Sequence, residues 1–206
     1  MIAAGCGSRL SHRGDIKPLI PLLGLSLIQR VILTAHECGL TDFYVVTGYR
    51  GEQVQGHLDK FSKDRGIKIT HIINDEWEKG NALSVAKAKD MLHEKFILLM
   101  ADHLFDESIL VGLQNAAIAD GEVMLAIDHN ITSTEFVNVA DVTKVLREDD
   151  AIRDIGKDIK KYNAYDTRIF LCSPGIFRAA EESMRQGDSS LSGAMRVLAK
   201  KARPGA

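Results

Sequence analysis

The run Phe96-Ile97-Leu98-Leu99-Met100 is apolar at five consecutive positions. Side chains on a strand alternate between its two faces, so such a run must be covered on both. That arrangement belongs to a central strand of a parallel sheet with helices packed on each side. The surrounding pattern supplies those helices and neighbouring strands. Leu27, Ile28, Val31, Ile32, Ala35 and Cys38 recur at helical spacing until Gly39 stops the helix. Phe43–Thr47 and Ile67–Ile73 read as strands, with a polar helix at Glu52–Phe61 between them. Helices are expected at Asn81–Leu92 and Asp106–Ala117, and a strand at Val123–Ile127. Beyond that the alternation changes. Val142–Arg147 and Ile152–Ile155 flank a polar turn at Glu148-Asp149-Asp150, as in an antiparallel hairpin. A strand at Asp166–Cys172 and helices at Pro174–Arg185 and Ser190–Lys201 complete an α/β chain whose sheet is parallel first and mixed later.

A chain of 206 residues, 45% hydrophobic and 26% charged, can bury one sizeable core. Its formal net charge of -2 gives no reason to expect a nucleic-acid or membrane partner. Any anion must therefore be bound by a local cluster of donors. Cys6, Cys38 and Cys172 show neither metal-ligand spacing nor a disulfide framework, which suits a reducing, cytoplasmic setting. No apolar stretch approaches the ~20 residues needed to span a bilayer. Met1 opens almost directly onto a glycine loop, and the chain stops where another strand would follow. The expected organisation is a single domain, 1–206, within a longer chain.

The glycine loop Ala3-Ala4-Gly5-Cys6-Gly7-Ser8-Arg9-Leu10 leads on to Lys17-Pro18-Leu19. Two glycines let the backbone turn tightly and bring its N–H groups to phosphate oxygens. Ser8 adds a hydroxyl, and Arg9 and Lys17 supply positive charge. A dinucleotide-binding fingerprint would need a small residue where Leu10 stands and a carboxylate after the second strand, where Thr47-Gly48-Tyr49 stands instead. A phosphate loop of the Gly-Lys-Ser/Thr kind is also absent. From composition alone the stretch is either a phosphate cradle or a glycine turn with two solvated cations.

Asp102 follows the apolar central strand at the carboxyl edge, where open α/β sheets bind ligands. It is either a turn cap or a ligand for Mg²⁺, which is commonly held by one or two carboxylates plus substrate phosphates. His103 beside it reads as a loop histidine. Gly80-Asn81-Ala82-Leu83-Ser84 lies at a strand-to-helix junction, with Asn81 positioned as an ordinary cap. Lys157, after the hairpin, can be a solvated lysine or a phosphate ligand.

Taken whole, Ala3-Ala4-Gly5-x-Gly7-x-Arg9-Leu10 followed by Lys17-Pro18-Leu19 resembles the signature of the sugar-nucleotidyltransferase superfamily. The resemblance implies a Rossmann-like nucleotidyltransferase fold with a mixed, mostly parallel sheet flanked by helices. It implies that Ala3, Ala4, Gly5, Gly7, Ser8, Arg9 and Lys17 wrap a nucleoside triphosphate. Arg9, Lys17 and Asp102 would be the catalytic group, with Asp102 holding Mg²⁺. Gly80, Asn81 and Ser84 would hold the nucleobase. Lys157 would meet the phosphate of the second substrate, and the segment containing Asp166 and Arg168 would line the acceptor pocket. Arg168 stands where the family commonly has glycine. A second metal carboxylate, usual on a late strand in a Trp-x-Asp context, has no counterpart; Asp166 is the remaining candidate. The run Asn74–Ser84 is similar to the inositol-phosphate cytidylyltransferase branch. That branch implies CTP and a phosphorylated polyol as substrates, and fusion to a membrane CDP-alcohol phosphotransferase that makes a compatible solute. The rival expectations are a hexose 1-phosphate nucleotidyltransferase using UTP or dTTP, and an inactive nucleotide-binding sensor on the same fold.

Overall fold

The computed structural model of the protein describes residues 1–7, 16–132 and 138–202. Strand β1 (Ile2–Ala3) is followed by a 3₁₀ turn at Lys17–Leu19 and a small hairpin of β2 (Pro21–Leu22) and β3 (Leu25–Ser26). Helix α1 (Leu27–Glu37) starts in a capping box: the Ser26 hydroxyl accepts the Gln29 N–H while the Gln29 side chain accepts the Ser26 N–H. Next come β4 (Asp42–Thr47), α2 (Gly51–Arg65) and β5 (Lys68–Ile73), then α3 (Asn81–Ala86), β6 (Phe96–Leu99), α4 (Glu107–Gln114) and β7 (Val123–Asp128). The chain continues with β8 (Lys144–Glu148), β9 (Ala151–Gly156), β10 (Ala164–Cys172), α5 (Gly175–Arg185) and α6 (Leu191–Lys201).

The first half of the sheet is parallel. β1 pairs with β4 and β4 with β5, while Ile2 bridges to Met100 at the end of β6, also in parallel. The second half is antiparallel and built around β10, which pairs with β6 along one edge and β7 along the other. The start of β10 also pairs with β8, which forms a hairpin with β9. The doubly apolar run thus lies where the two halves join.

Its residues split between two cores. Leu98 and Met100 pack with Ala82, Val85, Ile176, Phe177 and Met195 from α3, α5 and α6. Leu99 and Ala101 pack with Ile28, Val31, Val54, Leu58 and Leu110 from α1, α2 and α4. The result is three layers, with helices on both faces of the sheet.

The expected helix at Asn81–Leu92 is α-helical only to Ala86. It continues as tighter turns, with the Ala88, Lys89 and Met91 N–H groups bonding three residues back to Val85, Ala86 and Ala88. That change keeps Val85 and Ala88 on the buried side. Among the described residues, no helix is long and apolar enough to cross a membrane.

Candidate active site

Parallel strands place their carboxyl ends, and the loops that follow, on one edge of the sheet. Here that edge gathers Ala4–Gly7 after β1, Gly48 after β4, Asn74 after β5 and Asp102 after β6. Because β10 runs antiparallel, it is its beginning, Ala164–Arg168, that reaches the same edge. This topological step brings the second half of the chain to the first.

The glycine loop is described as far as Gly7; Ser8 and Arg9 lie outside the described residues. Ala3 and Ala4 are buried, and the Ala4 carbonyl accepts the Tyr49 N–H at 2.9 Å. Gly5 is exposed. Gly7 has φ +60°, and a Cβ there would stand 3.0 Å from the Cβ of Lys17. The loop therefore folds back onto the stem of Lys17, in a backbone conformation that glycine adopts without strain.

Lys17 forms an ion pair with Asp102 through Oδ2. The other carboxylate oxygen, Oδ1, lies 2.8 Å from His103 Nδ1. Burial alone would push Asp102 up, but the hydrogen bonds and charges of His103 and Lys17 outweigh it and hold the carboxyl well below its ordinary range. Asp102 is thus an anion with both oxygens engaged, Oδ2 by the Lys17 ammonium and Oδ1 by the His103 ring. Those donors suit a Mg²⁺ ion shared with substrate phosphates, since one carboxylate and phosphate oxygens make a usual ligand set. Among the described residues, no group of three or more His, Cys, Asp or Glu side chains forms an all-protein metal cage.

Asp166 lies on the same side. The β6–β10 register sets Ile169 opposite Leu99, which points the preceding residues of β10 toward Asp102 and His103. The Asp166 side chain is only 3% exposed and sits 3.3 Å from Arg168 Nε. Burial pushes its carboxyl up, against the opposing pull of Arg168 and the charge of His103. Asp166 also accepts the Arg168 N–H at 2.6 Å, and Arg168 Nη2 donates to Thr143 Oγ1 at 2.7 Å. Arg168 has φ +65°, a left-handed conformation, at an irregularity in the pairing of β10 with β7. The backbone here has the shape that a glycine would take freely, and Arg168 adopts it with its guanidinium fixed by Asp166 and Thr143.

Arg168 lines a cavity of about 700 Å³ together with Gly80, Asn81, Lys157 and Arg196. Gly80 and Asn81, expected at the nucleobase, and Lys157 and Arg168, expected at the acceptor, therefore line one cavity. Lys157 Nζ is 2.8 Å from Asp141 Oδ1. Gly80 has φ +99°, and a Cβ there would fall 2.5 Å from the Ser189 carbonyl oxygen. Ser84 stands apart from this cavity. It is 1% exposed, and its hydroxyl accepts the side-chain amide of the fully buried Asn74 at 3.0 Å. Two cavity residues, Asp188 and Arg196, were not singled out by any motif; Asp188 bonds within the turn between α5 and α6, and Arg196 reaches the Ile155 carbonyl on distant β9. A second cavity, of about 510 Å³, opens between β4 and β6 near Met1 and is lined largely by apolar residues.

Comparison with known proteins gives these residues a context. The chain is 32% identical over 185 residues to a bifunctional IPC transferase and DIPP synthase from Rubrobacter xylanophilus, covering 89% of this chain and 40% of that protein. It is 32% identical over 199 residues to the protein of the same name from Thermococcus kodakarensis, covering 95% and 42%. The chain thus spans about two fifths of the length of these relatives. Among solved structures, it is similar to the inositol-1-phosphate CTP transferase from T. maritima, with a TM-score of 0.80 and 27% identity over 97% of this chain and 78% of that one. The model of the MobA-like NTP transferase domain matches residues 1–200, from the strand before the glycine loop through the last helix, and the chain belongs to that family.

Proposed function

We propose that the domain transfers CMP from CTP to inositol 1-phosphate, forming CDP-inositol and releasing pyrophosphate. The observation that carries this reading is the likeness, over nearly the whole chain, to a protein named inositol-1-phosphate CTP transferase. Convergence of Gly80, Asn81, Lys157 and Arg168 on one cavity supports it, with Lys17 and Asp102 on the same sheet edge.

In this reading an acceptor phosphate oxygen attacks the α-phosphorus of CTP. The new P–O bond forms as the bond to the β-phosphate oxygen breaks, and pyrophosphate leaves with the electron pair. No covalent enzyme intermediate is needed, so catalysis rests on positioning and charge stabilisation. The glycine loop and Arg9 hold the β- and γ-phosphates, and Lys17 meets negative charge at the α-phosphate. Asp102 is the residue that would hold Mg²⁺, which when bound neutralises phosphate charge. Lys157 and Arg168 orient the acceptor phosphate, while Gly80 and Asn81 face the base. Asp166 keeps the Arg168 guanidinium in place. The domain works on the cytosolic side, fused to a membrane phosphotransferase half in a longer chain.

The test is pyrophosphate release with Mg²⁺, crossing four NTPs against inositol 1-phosphate and glucose 1-phosphate. Turnover confined to CTP with inositol 1-phosphate is expected. Turnover with glucose 1-phosphate and UTP or dTTP would replace the substrates and keep the chemistry. NTP binding without pyrophosphate release from any pair would replace the enzyme with a nucleotide sensor.

A further inference from the structure

The turn between α5 and α6 touches both halves of the cavity. Asp188 closes it: Oδ1 accepts the Ser190 N–H at 2.9 Å and the Ser190 hydroxyl at 2.6 Å, and the Asp188 carbonyl accepts the Ser183 hydroxyl at 2.6 Å. Gly193, in the first turn of α6, has no room for a Cβ because the Ser183 and Asp188 side chains already fill that space. The turn is therefore tightly packed.

It reaches outward in two directions. The Ser189 carbonyl accepts the Ala82 N–H at 3.0 Å, in the first turn of α3 beside Gly80 and Asn81. On the other side, Asp188 Oδ2 pairs with Arg196 Nη2, and Arg196 Nη1 donates to the Ile155 carbonyl. Arg196 Nη1 also lies 2.9 Å from where a Cβ on Gly156 would stand, so Gly156 lets the guanidinium approach the strand. The next residue is Lys157. The β8–β9 ladder sets Gly156 opposite Lys144, and the Lys157 carbonyl accepts from Lys144 Nζ at 2.7 Å. That donor is a single ammonium lying over the Tyr162 ring, whereas a guanidinium spans two acceptors in a fixed plane.

We infer that Arg196 is a positioning residue: oriented by Asp188, it holds the Ile155 carbonyl and thereby sets Lys157 at a fixed distance from the Gly80–Asn81 segment. This rests on the reading of Lys157 as the lysine that meets the acceptor phosphate. The Asp188–Ser190 turn then acts as a brace between the base side and the acceptor side.

The experiment combines kinetics with amide hydrogen exchange on R196M, R196K, K157M and the R196M/K157M double variant. R196M should raise KM for inositol 1-phosphate about tenfold, as expected for misplacing a substrate-orienting group, while KM for CTP stays within about twofold. In the K157M background R196M should cost almost nothing more, because both changes remove the same interaction. R196K reaches only one of the two acceptors and should restore little. Without any ligand, R196M should speed exchange in the peptide covering Ile152–Lys161 roughly tenfold, the scale of one lost charge-assisted hydrogen bond, and leave α1 and β4 unchanged. Multiplicative losses in the double variant, a change in CTP KM instead, or unchanged exchange in that peptide would overturn the inference. Should the wild type fail to turn over inositol 1-phosphate, the proposed substrate is wrong, and the exchange result still decides the positioning role. If R196M does not fold, D188N supplies the same comparison, with weakened orientation of Arg196 and the same expected pattern at lower amplitude.

Discussion

Replacing Lys17 by methionine keeps most of the apolar stem of the side chain and removes its charge. In the protein without substrate, the Lys17 ammonium pairs with Asp102, and the glycine loop packs on its stem at Gly7. The Lys17 side chain is 37% exposed and that of Asp102 22%, so solvent screens much of this pair. His103 remains as a partner for Asp102, and the folding cost of the change is about 1 kcal/mol or less. The effect on catalysis is larger. Charge that gathers on the α-phosphate meets Lys17 in a partly closed cleft, where two unit charges ~4 Å apart interact by ~4 kcal/mol at an effective dielectric of ~20. Loss of one such preorganised group lowers turnover by roughly 10²–10³-fold, about 2.7–4 kcal/mol. The assay is pyrophosphate release at saturating CTP and inositol 1-phosphate, beside CTP affinity by calorimetry and a urea melt. Lys17→Met should lose kcat by that factor, with a small shift in melting. A kcat within threefold of wild type would refute the role assigned to Lys17, and a large loss of stability would show that its pairing with Asp102 is structural.

Three further outcomes follow from the geometry. Ser84→Ala leaves the Asn74 amide buried without its acceptor, so it should destabilise the fold by about 1–2 kcal/mol in urea while CTP affinity is unchanged; weaker CTP binding would return Ser84 to the nucleotide site. Gly80→Ala places a Cβ 2.5 Å from the Ser189 carbonyl at φ +99°, and a urea melt should show a loss of about 1–3 kcal/mol; a neutral change would mean that the turn yields easily. Arg168→Gly relieves the left-handed residue but strands the buried Asp166 without its cation. Burial already raises the Asp166 carboxyl above its ordinary value, so the folded state binds this proton more readily than the unfolded state, and the variant should gain stability relative to wild type as pH falls toward the ordinary carboxylate range. Asp102, held below its ordinary value, acts oppositely and loses its contribution only at lower pH, in both proteins, so a variant that gains nothing relative to wild type as pH falls toward the carboxylate range would count against the Asp166 assignment.

The layered α/β character was legible in the chain, because a doubly apolar strand such as Phe96–Met100 needs cover on both faces and the flanking helical patterns supply it. The chain also marked the carboxyl-edge loops: glycine at positions 5 and 7, Lys17 beyond them and Asp102 after β6 are each legible from local pattern. The hairpin at Lys144–Glu148 and Ala151–Gly156 was legible as well, since its polar turn and alternating flanks are local signals. Alternation cannot say which strands pair or in which direction. Strand direction emerges on folding: β10 runs antiparallel beside β6 and so delivers Asp166 and Arg168 to the edge where Asp102 lies. Arg168 illustrates the limit. Its sequence position signals a missing glycine, while the left-handed backbone and the two partners that hold the guanidinium exist only once β10 is bent against β7. Ser84, expected at the nucleobase, lies ten residues from Asn74, and folding turns the two side chains toward each other. Arg196 and the Ile155 carbonyl are separated by 41 positions, and no periodicity or motif relates them. Local propensity and periodicity act over a few residues, so they fix elements and loops. Contacts between distant segments depend on strand order and register, which burial of the whole core selects.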